Sequence, residues 1–311
     1  MFNYNTNQIS RWLLPALCGF TLAYCSPVHA DETTKSDQGN KPIFGPCVVK
    51  LEGNLATVKL PADYMFVPKE AAVKYLQRQG EKNPHTSGII VPLTKDKKTG
   101  DFEVYTSYND CGYIKDDDAG HLNADQLLDS LKEVCEKQNE ERKETKVPPF
   151  YVGGWAEKPH YERNKHQVVW AVEIKDQDSP TAPVEGVNYN TRILGRRGTL
   201  SLNLVTAPNT LEESKKKAAE LLDDTAFNTG ETYADYVPGK DKAAEYGIAG
   251  LILGGGALAA AKLGVFGALW KWGLGVILIL KKFVFVAVVA VAAFFKKMFG
   301  RKKKDSETLQ G

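Results

Sequence analysis

The sequence predicts an α+β fold: a mainly antiparallel sheet with helices packed on one face, followed by a C-terminal transmembrane segment. Three observations lead there. Short runs of alternating apolar and polar residues recur between turn signals, two longer segments carry three- and four-residue helical spacing, and apolar residues mass after Tyr246. Lysine and arginine number 40 against 38 aspartates and glutamates. That near-balance, without a clustered basic surface, argues against a nucleic-acid partner.

Residues 1–30 read as a signal peptide. Arg11 closes a polar n-region, Trp12 to Tyr24 form an apolar run too short to span a bilayer, and Val28-His29-Ala30 offers the cleavage site. Cleavage leaves Asp31 at the new N-terminus. A lipidated Cys25 is the alternative, which the bulky Tyr24 before it disfavours. Residues 31–46 are polar and read as a mobile leader to an extracytoplasmic domain over 47–240, taken as one body or as two lobes dividing near 147.

Within that domain, Val48 to Leu51 and Leu55 to Leu60 form a hairpin around Glu52-Gly53-Asn54. Pro68 suits the first turn of a helix running through Arg78 and ended by Gly80. Gly88 to Leu93 and Phe102 to Tyr108 read as strands around the charged loop Lys95 to Gly100. From Asn123 to about Lys143, Ala124, Leu127, Leu128, Leu131, Val134 and Cys135 make one apolar helical stripe, with Asn123 and Gln126 placed as a capping box. The acidic run Asp116-Asp117-Asp118 lacks the alternating ligands and central glycine of a calcium loop, so it reads as a solvated turn.

After Pro148-Pro149, Val168, Trp170, Val172 and Ile174 alternate with Gln167, Glu173 and Lys175, the pattern of a half-buried strand. Val187 to Gly195 and Gly198 to Thr206 flank Arg196-Arg197 as a tight hairpin. Its register follows: Ile193 opposes Leu200, Thr191 opposes Leu202, and Tyr189 opposes Leu204. The opposite face then carries Arg192 against Ser201 and Asn190 against Asn203, with Asn188 beyond. A helix from Thr210 to about Asp223 follows, with Thr210 and Glu213 as a second capping box.

Residues 247–299 form the expected membrane region. The best single span is 274–295, because a helical crossing needs ~20 mostly apolar residues, although Lys281 and Lys282 fall inside it. The glycine- and alanine-rich stretch from Gly250 to Leu263 reads as a second span, a closely packed helix or an interfacial segment. Lys296, Lys297, Arg301, Lys302, Lys303 and Lys304 place the 300–311 tail in the cytoplasm by the positive-inside rule. With the domain exported, the number of crossings is odd, and one is simplest; a two-span hairpin is the alternative. The location implied is the bacterial inner membrane, with the domain in the periplasm.

Several blocks together are similar to a known family. Lys115-Asp116-Asp117-Asp118-Ala119, Gly154-Trp155-Ala156-Glu157-Lys158-Pro159-His160-Tyr161, Asn188 through Gly198, and Lys242 through Gly250 resemble the uncharacterised bacterial membrane-anchored proteins grouped as DUF2167. The resemblance runs from roughly Leu60 to Arg301, with Lys158 where members often carry a second proline. It implies a signal, an extracytoplasmic domain and a C-terminal anchor, and no established activity.

Four candidate sites follow from the residues. Asn188, Asn190, Arg192, Ser201 and Asn203 form a polar strip, unusual in a strand, that offers hydrogen bonds to a ligand or protein partner; an ordinary wet face or a buried network are the plainer readings. On the partner reading, replacing Asn190 and Arg192 with threonine leaves folding intact and abolishes capture. Arg196 and Arg197 at the hairpin tip suit anionic lipid head groups, where each basic residue contributes ~1 kcal/mol. Glu157 and His160, near Tyr161 and His166, offer acid–base chemistry, with a structural histidine as the plainer role. Cys111 and Cys135 are the preferred disulfide among three cysteines left after cleavage, against three buried thiols. No metal-ligand spacing, P-loop, dinucleotide fingerprint or nucleophile elbow appears, so neither a metal nor a cofactor is expected. The favoured function is a non-enzymatic, membrane-tethered envelope interaction module with a protein partner. The alternatives are a hydrolase-like periplasmic enzyme using Glu157 and His160, and a subunit of a transport or lipid-handling assembly.

Overall fold

Strand alternation builds an eight-stranded sheet in which every neighbouring pair is antiparallel. In chain order its strands are β1 (Ile43–Phe44), β4 (Tyr64–Pro68), β5 (Gly88–Pro92), β6 (Glu103–Asn109), β7 (Tyr151–Glu162), β8 (Gln167–Lys175), β9 (Gly186–Leu194) and β10 (Thr199–Thr206). Across the sheet they run β1-β4-β5-β6-β10-β9-β8-β7. A second sheet, ordered β11-β3-β2, joins β2 (Cys47–Leu51), β3 (Ala56–Leu60) and β11 (Thr225–Phe227). The helices are α1 (Lys69–Arg78), α2 (Ala124–Glu144), α3 (Leu211–Asp223) and α4 (Ile248–Ile252).

The computed structural model describes residues 41–79, 81, 83–93, 102–144 and 147–255, all within the first of two compact units, Met1–Ala260. The expected signal peptide and its cleavage site at Ala30 and Asp31, the best span 274–295 and the basic tail 300–311 lie outside the described residues. Among the described residues, no helix is long and apolar enough to cross a membrane.

Side-chain parity divides the large sheet into two faces, and both are covered. On the first, Ala72 and Leu76 of α1 pack on Ile89, Tyr105 and Val205, while Leu127, Leu131, Val134 and Cys135 of α2 pack on Val168, Trp170, Val172 and Ile174. On the second, Ala218 and Leu221 of α3 and the small sheet close over Phe66, Ile90, Val104, Leu200, Leu202 and Leu204. Each such aliphatic side chain contributes roughly 1.5–3 kcal/mol by leaving water. The expectation that helices occupy one face is therefore corrected: the apolar stripe on α3 shows that it packs, but not on which side. Of the readings as one body or as two lobes dividing near 147, the first fits a sheet that runs through both halves, with β6 paired to β10.

Local readings mostly stand. The β2–β3 hairpin turns through Glu52–Asn54, and Asn123 Oδ1 accepts the Gln126 amide at 3.1 Å to cap α2. The β9–β10 register is the one alternation gives, Ile193 to Leu200, Arg192 to Ser201 and Asn190 to Asn203. Four readings change. The leader's end, Ile43–Phe44, joins the sheet as β1 beside β4. Pro68 closes β4 and caps α1 rather than opening its first turn. At α3 the Thr210 hydroxyl makes no cap; it bonds the Ala207 carbonyl at 3.2 Å. Strand β8 is buried on both faces, Gln167 included, so it is not half-wet.

Candidate functional site

The polar strip lies on the face of the large sheet that α1 and α2 pack against, and it is buried. Asn188, Asn190, Arg192, Ser201 and Asn203 are each 5 % exposed or less. Arg192 stacks over the Trp170 ring at 5.0 Å, and its Nη1 donates to Asn203 Oδ1 at 2.6 Å and to the Thr191 carbonyl at 3.1 Å. Asn190 Nδ2 donates to the Asn188 carbonyl at 3.0 Å. Asn188 borders a cavity of about 30 Å³, shared with Glu81, His85, Thr86, Ser107 and Asn203, which is room for about one water. The strip is thus no open docking face. It is a polar layer inside the domain, where burial makes each satisfied hydrogen bond count and each broken one costly.

The hairpin tip is built differently from the lipid-facing expectation. After β11 the chain doubles back across the tip as a strap, and both arginines hold it. Arg196 grips Asp241 with two bonds, Nε to Oδ2 at 2.8 Å and Nη2 to Oδ1 at 2.9 Å, and donates to the Gly230 carbonyl at 3.0 Å. Arg197 grips Glu231 the same way at 2.8 and 2.7 Å. Paired guanidinium and carboxylate forks of this kind are geometrically specific. Hydrogen bonds from Arg196, then from the Val237 amide, hold the Asp241 carboxyl below the usual range; Thr232 does the same for Asp235. Both guanidinium groups are answered within the fold, which removes the ground for assigning them to lipid head groups. Gly198 permits the tight approach, since a Cβ there would run into the Asn109 carbonyl oxygen.

The strap also supplies two members of a column of rings that the sequence reading missed. Tyr236 stacks on Tyr113 at 3.8 Å, Tyr113 on Tyr233 at 4.5 Å, and Tyr233 on His166 at 4.3 Å. His166 Nδ1 then meets the Tyr161 hydroxyl at 3.0 Å. The Tyr233 hydroxyl donates to the Ile114 carbonyl at 2.9 Å. Burial foremost raises the Tyr233 and Tyr161 phenols, so both stay protonated donors. His166 ends the column with a positive φ of 48°, unusual for a residue with a side chain.

The acidic run is not merely solvated. Asp116 pairs with Arg163 at 3.0 Å, and Asp118 accepts the Ile248 and Ala249 amides at 2.9 and 3.0 Å, capping α4. Gly247 leaves room for this cap, because a Cβ there would displace the Asp118 carboxylate. Ile248, Leu251 and Ile252 are buried with Ile114, Leu194 and Tyr233 in the α2-side core. The blocks at 115–119, 188–198 and 242–250, remote in sequence, thus meet at one end of the sheet.

Glu157 and His160 sit on β7, the outer strand of the large sheet, with His160 Nδ1 3.7 Å from Glu157 Oε1. Glu157 is also ion-paired with Lys215 of α3, whose ammonium lies 5.2 Å from the Tyr189 ring centre. His160 is 46 % exposed. A groove of about 320 Å³ between α2 and the start of β7 is lined by Lys132, Glu136, Tyr151 and Lys175, and by neither member of that pair. The expected Cys111–Cys135 disulfide is corrected: both thiols are free. Cys111 bonds the Gly112 carbonyl at 3.5 Å and Cys135 the Phe150 carbonyl at 3.1 Å, so each has its own partner. Burial pushes the Cys135 thiol up to about 12.

Comparison with known proteins adds a family and two loose structural likenesses. The family described as "Protein of unknown function (DUF2167)" matches residues 43–292. No curated protein matches. The solution structure of cyanobacterial PsbP (CyanoP) from Synechocystis sp. PCC 6803 is similar at 8% identity and a TM-score of 0.35, over 64% of this chain and 98% of that one. The Saccharomyces cerevisiae Ran-binding protein Mog1p is similar at 9% identity and a TM-score of 0.32, over 60% and 96%. At this distance neither likeness bears on activity.

Proposed function

The chain belongs to the DUF2167 family, and on that premise we propose a non-enzymatic interaction module of the bacterial envelope, exported by cleavage after Ala30 and tethered to the inner membrane by the apolar stretch after Tyr246. Its domain lies in the periplasm and its basic tail in the cytoplasm. One observation carries the reading: the apolar stretch begins inside the folded core. Ile248, Leu251 and Ile252 of α4 are buried, Asp118 caps the helix, and α4 is itself the start of the apolar stretch that runs on from Gly247. That root, with the strap clamped by Arg196 and Arg197, fixes where the apolar stretch leaves the domain.

The non-enzymatic part rests on Glu157 and His160. They share an exposed sheet edge, and Lys215 occupies the carboxylate, whereas acid–base chemistry calls for groups converging in a pocket. A fluorescent protein that matures only in the cytoplasm, fused after Gly311, tests the topology. Fluorescence is expected, and a phosphatase active only outside the cytoplasm is expected to be silent at the same position. The reverse pair of results overturns the single crossing.

A further inference from the structure

The groove of about 320 Å³ between α2 and the start of β7 is walled by charge of both signs. Lys132 and Glu136 stand on α2, Lys175 ends β8, and Asp178 lies in the loop that follows. Among the described residues none of the four enters an ion pair. Neighbouring contacts order these charges along the groove. Helix α2 and β7 run antiparallel: Asn139 bonds both the amide and the carbonyl of Phe150, Cys135 bonds the Phe150 carbonyl, and the Trp155 indole donates to the Ala124 carbonyl. Glu136 therefore lies toward the Phe150 end. Asp178 lies there too, since burial foremost raises the Cys135 thiol and both carboxylates add to that rise. Lys132 stands one turn closer to Trp155. Lys175 reaches the same level from the sheet, where a Cβ on Gly153 would come within 2.9 Å of its Cε. Its ammonium donates to the Ser179 and Pro180 carbonyls at 3.3 and 3.1 Å, which fixes it and leaves one N–H to give. The groove is thus acidic at one end and basic at the other.

From this arrangement we infer that the groove binds a dipeptide as its zwitterion, with the free ammonium between Glu136 and Asp178 and the free carboxylate at Lys132 and Lys175. Neither kind of simple ion suits it, because an anion meets two carboxylates and a cation meets two ammoniums. Length selects among zwitterions. Four residues of α-helix separate Lys132 from Glu136 by ~6 Å along the axis. One residue spans at most ~3.6 Å and two ~7 Å, so a single amino acid falls short where a dipeptide reaches both ends. The volume is near the lower bound for ligand pockets, which suits small side chains. Each end is then a charge-assisted contact, the kind that fixes orientation as well as adding affinity.

Ligand-observed NMR titration of the full chain in mild detergent, with dialanine as the probe, tests this. Dialanine is expected to bind, and N-acetyl-dialanine and dialanine amide each to bind about tenfold more weakly, because each cap removes one charge. Alanine is expected to bind more weakly than dialanine. Glu136→Gln, at an exposed position, is expected to lower the affinity for dialanine about tenfold and to leave that for the N-acetyl form unchanged. No binding at ~10 mM dialanine overturns the site. Equal binding of dialanine and its capped forms overturns the zwitterion, and alanine binding as tightly as dialanine overturns the length. An equal loss of dialanine and N-acetyl-dialanine in Glu136→Gln overturns the orientation.

Discussion

Replacing Asn203 with alanine separates a buried network from a wet sheet face. The change removes the acceptor 2.6 Å from Arg192 Nη1, on a side chain only 2 % exposed and pressed against Trp170. A hydrogen bond to a charged group in such a place is worth about 1.5–3 kcal/mol, and its loss takes the shorter of the two bonds from Nη1, which keeps the Thr191 carbonyl. For a domain of about 200 residues each kcal/mol moves the melting midpoint by roughly 2–4 °C, so a fall of about 3–12 °C is expected. A thermal melt of the full chain in mild detergent, followed by near-UV circular dichroism, reads it. The same melt should show Asn190→Thr/Arg192→Thr destabilised at least as much, contrary to what a docking face on this strip requires. A midpoint within about 1 °C of the parent for Asn203→Ala would refute the buried network.

Four further outcomes follow from the same structure. Leu131→Ala, at a fully buried position on α2, should cost about 2–5 kcal/mol in the same melt. Tyr233→Phe leaves the ring stack but strands the Ile114 carbonyl, so about 1 kcal/mol is expected, against a larger loss for Tyr233→Ala. The depressed Asp235 and Asp241 carboxyls contribute stability that is present above their ordinary range and lost as pH falls through their folded values. Protease cleavage of the strap between 228 and 246 should therefore rise only in acid, below about pH 4, and stay flat from neutrality to pH 5. Thiol titration of the unfolded, unreduced mature chain should find Cys47, Cys111 and Cys135 all reactive, and two fewer would restore the disulfide.

How much of this could be read from the chain depends on distance along it. The β9–β10 register was legible because alternation on both strands and a two-residue tip agree on one pairing. Which side of that hairpin met water was not. Asn190 and Arg192 have the composition of a wet face, yet each is 2 % exposed, on the face of the sheet that α1 and α2 pack against. The ring column was invisible for a related reason: Tyr113, Tyr161, His166, Tyr233 and Tyr236 sit in three distant segments with no shared period. Asp118 read as solvent-facing because its two amide donors lie 130 residues downstream. The hairpin, caps and helical stripes obey local rules; the site-forming contacts are long-range.

The most direct test of the account is amide hydrogen exchange across residues 248–252 in the full chain. If the apolar stretch is rooted in the core, these amides exchange in the same slow class as those of β8, and Asp118→Ala speeds them selectively while leaving β8 unchanged. Exchange at the rate of an open loop in the parent chain would contradict the rooted tether.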